Sequence, residues 1–304
     1  MIYSCLHTHS TFCDGKDDIE TMCRSAYEKH FESIGFSSHA PIAKKTGIVT
    51  GWHLADERLN EYIDAVLDAR ERWRGRLSVY LGLEMDYIAG RCGPADADLR
   101  ELPLDYLIGA VHYVASPRGD LMTVDGFDDD FEREFRAFFD NDGKALYRAY
   151  YTAYQEMICG GGFDILAHFD LVKKNNRRFG FFLPGDADYQ ECVAKTVKTA
   201  ARQTRNFVVE VNTGGMIRGR TGDPYPSSAI LRLLKAQNIP LTISADAHAA
   251  DHLGGCYEDA LRIMAGAGYT ETMLIDGSKE GKPHWRPQRI NPARGAGSAE
   301  GMFS

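Results

Sequence analysis

Leu241-Thr-Ile-Ser-Ala-Asp246-Ala-His248 is a short apolar run that breaks off on a carboxylate and an imidazole two residues apart. The pattern occurs seven times. Tyr3 to Leu6 runs into His7 and His9, Ser33 to Ser38 into His39, Leu77 to Leu83 into Glu84, and Tyr106 to Val111 into His112. Asp164 to Ala167 runs into His168 and Phe207 to Val211 into Asn212. Each run reads as a β-strand, and each ending residue is able to bind a divalent metal. In parallel barrels of strand and helix units, chemistry gathers at the carboxyl ends of the strands. Residues as far apart as His7 and His248 are therefore expected to converge on one pocket, and six of the ten histidines stand at such ends.

Helical patterns alternate with these runs. Asp17 to Lys29 opens acidic and places apolar side chains at Ile19, Met22, Ala26 and Tyr27, and Ala55 to Trp73 continues likewise. Further helices are expected at Tyr189 to Gln203, Pro226 to Gln237 and Tyr257 to Ala267. This alternation predicts an α/β fold with a parallel sheet. The stretch 115–161 is too long for one connection and reads as a helical insertion over the barrel mouth. Residues 1–290 are expected to form a single domain, and 291–304, rich in Gly, Ala and Ser, a loosely held tail.

A chain of 304 residues with 44% hydrophobic content is able to bury a large core. A net charge of −8 argues against a nucleic-acid polymer or a membrane surface as partner, since both favour a basic face. The seven cysteines (5, 13, 23, 92, 159, 192, 256) are scattered, odd in number and never spaced C-x-x-C, which fits reduced thiols and a cytoplasmic setting. No apolar stretch approaches the ~18 residues of a membrane span.

His7-x-His9 puts two imidazoles on one side of a strand end, because residues i and i+2 share a face. Asp14-Gly15 follows with a carboxylate beside a glycine suited to a tight turn. Asp246-x-His248 repeats the geometry from the other end of the chain, where barrel closure brings it against the first strand. Glu84 ends a strongly apolar strand, and a carboxylate there is able to bridge two cations. His39, His112 and His168 each complete a strand. The remaining histidines, 30, 53, 252 and 284, read as ordinary, with His53 near the pocket mouth.

The order H-x-H-S…D-G, S-x-H-A-P, G-x-E, G-x-V-H, A-H-x-D and S-A-D-A-H resembles the polymerase and histidinol phosphatase superfamily. It is most similar to the long histidinol-phosphatase branch, through Leu104 to His112, Phe163 to Lys174, Val209 to Gly215 and the acidic, aromatic Val124-Asp-Gly-Phe127. Ala110, Ala167 and Ala245 depart from the pattern's frequent Ser, Gly and Ser. The resemblance implies a distorted (β/α)7 barrel with two to three divalent transition metals. Carried onto this chain, one metal takes His7, His9, Glu84 and Asp246. A second shares Glu84 and takes His112 and His168, and a third takes Asp14, His39 and His248. Imidazole and carboxylate ligands without thiolate suit zinc, manganese or iron alike.

The implied activity is hydrolysis of L-histidinol phosphate, a small-molecule phosphate ester of histidine biosynthesis, by a metal-bridging hydroxide. Arg218, on a glycine-containing loop after a strand end, is expected to hold the phosphoryl group, with Lys174 or Arg177 from the basic run 173–178. Asp246, His248 or a metal-bound water is expected to serve the leaving alkoxide, and Glu210, Asp86 and the insertion the substrate's ammonium. The alternatives are a phosphoesterase acting on nucleotides or oligonucleotide ends, an amide or deaminating hydrolase, and a metal-stabilised interaction protein. The acidic balance disfavours the first and Glu84 at the third strand the second. The complete set of ligands disfavours the last.

Overall fold

The computed structural model describes residues 3–203, 207–279 and 281–290. Along the chain come β1 (Tyr3–Cys5), β2 (Phe31–Phe36), β3 (Ser78–Asp86) and β4 (Tyr106–Ala110). A small hairpin of β5 (Tyr113–Ala115) and β6 (Leu121–Thr123) precedes β7 (Ile165–Leu166), β8 (Val208–Asn212) and β9 (Leu241–Ser244), and β10 (Glu271–Lys279) pairs with β11 (Lys282–Arg289). The helices are α1 (Ile19–Glu28), α2 (Ala43–Thr46), α3 (Leu59–Trp73), α4 (Asp128–Phe139) and α5 (Gly143–Gly160). They continue as α6 (Asn176–Phe179), α7 (Ala187–Ala201), α8 (Gly214–Ile217), α9 (Ser228–Ala236) and α10 (Tyr257–Gly266).

The seven strands expected from the apolar runs form one sheet in the order β1-β2-β3-β4-β7-β8-β9, with every neighbouring pair parallel. The circle closes just past the strand ends. Ala247 N–H donates to the His7 carbonyl at 3.1 Å and His9 N–H to the Ala247 carbonyl at 2.8 Å, a parallel bridge centred on Thr8 and Ala247. The two x-separated pairs, His7/His9 and Asp246/His248, are thus laced together by backbone.

Period-2 alternation sorts the strands into two faces. On β4, Tyr106, Ile108 and Ala110 join an inner cluster with Leu6, Ile165, Ala167 and Val208, while Leu107 and Val111 belong to the larger core shared with the helices. On β3, Val79, Leu81, Leu83 and Met85 take the helical side, which leaves Tyr80, Gly82, Glu84 and Asp86 inward. The inner face is therefore mainly apolar in depth, with the Ser4 and Ser33 hydroxyls paired at 2.7 Å, and charged at the carboxyl end. Tyr106 crosses this interior, its hydroxyl donating to the Leu6 carbonyl. A Cβ at Gly35 or Gly82 would run into its ring.

The opposite end of the barrel is covered by the β10–β11 hairpin, whose Met273, Ile275 and Trp285 pack on the inner cluster. The sequence reading held no strands there. Segment 115–161 divides. The β5–β6 hairpin and α4 join the main core through Val114, Met122, Phe131, Phe135 and Phe139, whereas α5 sits against the barrel strands, with Tyr154 donating to the Ala167 carbonyl and Met157 packing where Gly109 has no side chain. Its second half is thus part of the crossover between β4 and β7. Residues 291–304, expected as a tail, lie outside the described residues. No helix among the described residues is long and apolar enough to cross a membrane.

Because the inner face is filled, Gly82→Ala should cost roughly 1–3 kcal/mol by forcing Tyr106 aside. Chemical denaturation of the variant measures it; a midpoint equal to wild type would show that the interior has room to spare.

Candidate metal centre

Glu84 stands at the middle of five histidines. Its Oε2 lies 3.1 Å from His7 Nε2, 3.6 Å from His9 Nε2 and 2.9 Å from His39 Nδ1. Its Oε1 lies 2.9 Å from His168 Nε2 and 3.6 Å from His112 Nε2. Asp246 Oδ1 closes one side, 3.3 Å from His9 Nε2 and 3.7 Å from His7 Nε2. Asp14 closes another, 3.2 Å from His248 Nε2, 3.6 Å from His9 Nδ1 and 3.8 Å from His39 Nε2. All nine residues expected as metal ligands, His7, His9, Asp14, His39, Glu84, His112, His168, Asp246 and His248, share this one cluster.

The grouping is more interlocked than the expected partition. His9 lies with Asp14, His39 and His248 as well as with His7 and Asp246, and His39 lies with Glu84 and His112 as well as with Asp14. Two of these residues have left-handed backbone, His168 at φ 22° and Asp246 at φ 49°, a conformation uncommon outside glycine and typical of sites where side-chain aim outweighs backbone comfort. Gly15 answers a different need from a turn. A Cβ there would collide with the backbone of His9 and Ser10.

Cations fit this donor set. His7 Nε2, His9 Nε2, His39 Nδ1 and Glu84 Oε2 are buried without a well-formed hydrogen bond, and leaving such atoms unsatisfied costs about 1–3 kcal/mol each. They point at one another across 2.9–3.6 Å. Six imidazoles and three carboxylates with no thiolate suit a divalent transition metal.

Charge in the metal-free cluster is strongly coupled. Burial opposes a proton on His112, but Asp86 and Glu84 outweigh it and push its pKa up to about 10. Burial likewise opposes charge on His7, and Glu84, Glu210 and Asp246 raise it well above its ordinary value. His9 goes the other way, down to about 3, through burial and the neighbouring His248 and His39. Burial would raise Glu84 and Asp246, yet His7 and His39 hold the first, and Arg218 and His7 the second, well below the usual carboxylate range. Rings protonated above pH 7 give up that proton to bind a cation, so metal uptake weakens as pH falls.

Two carboxylates expected at the substrate's ammonium have other work. Glu210 is fully buried, with Oε1 2.7 Å from His7 Nδ1 and Oε2 accepting from His168 N–H at 3.0 Å and Asn212 Nδ2 at 3.1 Å. Asp86 is 1% exposed and 2.8 Å from His112 Nδ1. Both spend their oxygens behind histidines of the cluster, where they fix which nitrogen faces its centre. Asn212, the one strand-end residue outside the cluster, accepts from Gly214 N–H at 2.8 Å and shapes the following loop.

Arg218 reaches the mouth. Its guanidinium donates to Asp246 Oδ2 at 3.0 Å and to the Asp246 carbonyl at 3.1 Å. Lys174 is turned to Asp125, bonding its carbonyl at 2.6 Å and approaching its carboxylate at 3.4 Å. Arg177 lies exposed on the short α6. Of the three residues expected at phosphate, Arg218 is the one in direct contact with the cluster.

A seven-stranded parallel α/β barrel with a buried imidazole and carboxylate cluster at its carboxyl ends is a barrel of the metal-centred type. Residues 6–214 match the PHP domain family, and the chain belongs to it. It is 28% identical over 264 residues to a Deinococcus radiodurans protein named probable histidinol-phosphatase, covering 86% of this chain and 92% of that protein. It is 27% identical to the histidinol-phosphatase of Bacillus subtilis, covering 83% and 96%. In fold it is similar to the histidinol phosphate phosphatase of Lactococcus lactis, crystallised with zinc, L-histidinol and phosphate. That likeness has a TM-score of 0.68 at 19% identity, over 92% of this chain and 98% of the other.

Elemental analysis of the isolated protein should find two to three transition-metal ions per chain, with the content falling as pH is lowered. Glu84→Gln should lose most of them, since it weakens two sites together; a variant with wild-type metal content would remove Glu84 from the bridging position.

Proposed function

We propose that this chain is a metal-dependent phosphomonoesterase that hydrolyses L-histidinol phosphate to L-histidinol and phosphate, a reaction of histidine biosynthesis. The observation that carries the reading is the five-histidine ring around Glu84 with Arg218 beside it, in a member of the PHP family whose full-length relatives bear that name. We propose further that residues 1–290 act as one domain and that the nine clustered side chains hold two to three zinc, manganese or iron ions.

His7, His9, Glu84 and Asp246 would hold one cation, Glu84, His112 and His168 a second, and Asp14, His39 and His248 a third. Bound divalent metals supply Lewis acidity and ease the ionisation of water near neutral pH. The protein's own groups then orient and discriminate. Arg218 takes phosphoryl oxygens through charge-assisted hydrogen bonds. Asp246, kept ionised by Arg218 and His7, would orient the attacking water as a hydrogen-bond acceptor. His248, partly exposed beside it, faces the leaving alkoxide. With Glu210 and Asp86 committed to histidines, Asp125, which Lys174 approaches at 3.4 Å and whose side chain is 30% exposed, is a carboxylate that would meet the substrate's ammonium.

Arg218→Ala should lower kcat/KM on a phosphomonoester by roughly two orders of magnitude or more, with the fold intact by circular dichroism. An unchanged rate would place phosphate elsewhere, with Lys174 next in line.

Phosphate release should favour histidinol phosphate over adenosine monophosphate and a small aryl phosphate under one metal condition. A charge-assisted contact is worth about 1.5–3 kcal/mol, so a single one to the ammonium gives selectivity of roughly tenfold or more over an uncharged alcohol. Equal kcat/KM values, or a preference for the nucleotide, would overturn the substrate assignment and leave the phosphoesterase reading standing.

A further inference from the structure

His53 reads from sequence as an ordinary loop histidine, yet its side chain is only 6% exposed and its ring is fully engaged. His53 Nε2 lies 2.9 Å from Asp86 Oδ2, and Thr50 Oγ1 lies 2.7 Å from His53 Nδ1. A hydroxyl donating to Nδ1 leaves the proton on Nε2, so His53 donates to Asp86. The other oxygen of Asp86 accepts from His112 Nδ1 at 2.8 Å and, more weakly, from His112 N–H at 3.3 Å. A continuous chain, from the half-buried Thr50 to His53, Asp86 and His112, thus runs from the loop after α2 into the cluster.

The same loop grips a second ligand histidine. Leu54 N–H donates to the His39 carbonyl at 3.0 Å. Trp52 stands edge-on to His39, with ring centroids 4.8 Å apart, and to His112 at 5.6 Å. It stacks on His53 at 3.8 Å and on Tyr113 at 5.6 Å. Residues 50–54 therefore set the ring planes of histidines delivered by two different strands.

We propose that His53 is a positioning residue for the metal site made by Glu84, His112 and His168, acting through Asp86, and that Trp52 reports occupancy of the cluster optically. Without the His53 N–H, one oxygen of Asp86 is left buried and unpaired. The carboxylate is then free to rotate, and His112 Nδ1 loses the fixed acceptor that keeps its Nε2 toward Glu84. Outer hydrogen bonds of this kind typically carry ten- to hundredfold in metal affinity. The inference rests on the metal-centre reading above and goes beyond it by assigning a residue outside the nine ligands.

The test uses full-length protein stripped of metal and titrated with zinc against a chromophoric chelator. Wild type should bind two to three equivalents. His53→Ala should weaken one of them by about tenfold or more while the others hold. His53→Gln, whose amide is able to donate to Asp86, should recover most of the loss. Zinc addition should change the tryptophan fluorescence of wild type, the change should vanish in Trp52→Phe, and in His53→Ala it should move to higher zinc. A His53→Ala protein that holds every equivalent as tightly as wild type overturns the proposal. So does a uniform loss of all equivalents together with a lowered Tm and no rescue by Gln, which marks a purely structural role. A fluorescence change that persists in Trp52→Phe overturns the reporter assignment. A wild type that binds no zinc, manganese or iron sinks the metal-centre reading and this inference with it.

Discussion

A carboxylate buried to 1% exposure among five imidazoles is the constraint around which the barrel is built. Removing an ion from water costs several kcal/mol even after the protein relaxes, and that cost is recovered only where partners converge with good geometry. Glu84 meets the requirement by standing on the inner face of the longest strand of the barrel sheet, β3, where neighbours from β1, β2, β4 and β7 all reach it. No single helix or loop offers so many directions of approach. A closed parallel sheet does, because every strand presents its carboxyl end to the same small volume.

That convergence requires the strand ends to be fixed, and each is fixed by a different device. The β1 and β9 ends are laced by backbone bonds through Thr8 and Ala247. The His39 and Glu84 backbones form a parallel bridge of their own. His168 and Asp246 are turned inward by left-handed backbone, and the rings of His7 and His112 are held from behind by Glu210 and Asp86. Below this layer the interior is apolar and crossed by Tyr106, whose ring requires glycine at 35 and 82. The β10–β11 hairpin then covers the far end. Ionisable chemistry is thus gathered at one rim, above an interior that is largely apolar apart from the paired Ser4 and Ser33 hydroxyls.

Much of this was legible in the sequence because strand period and ligand chemistry coincide. The seven apolar runs became the seven parallel strands, and the ligand residues at their ends all entered one cluster, since an inward residue at a strand end has nowhere else to point. The same alternation also carried information that a motif reading passes over. Asp86 is two residues beyond Glu84, and Glu210 two before Asn212, each on the inward register of its strand. Their position marks them as partners of the cluster and not as contacts for a substrate's amine. The β10–β11 hairpin was harder to see, because Pro283, Pro287 and alternating charged residues break any apolar run and its burial comes from a barrel end formed elsewhere in the chain. His53 left no local signal at all. Its role exists only through Asp86, from another strand.

The loop 50–54 shows how such a site divides labour between rigid and adjustable parts. Strands β3 and β4 carry Glu84 and Asp86 on one continuous ladder that ends at Asp86 and Ala110, two residues before His112, so the positions of the two carboxylates are set by backbone hydrogen bonds and resist small changes. His39 lies past the end of β2, where the ladder gives way to a single bridge; the Leu54 N–H holds its backbone carbonyl and the edge of Trp52 meets its ring. Aromatic edges and one backbone bond are individually worth about 1 kcal/mol, enough to choose a rotamer and too little to fix a strand. Ladder geometry therefore sets where the cluster sits, and the loop sets how its outermost rings turn. Substitutions along β3 should disturb folding and metal content together, whereas replacing His53 should act mainly on the metals; Leu54, buried in the core, belongs with the first group.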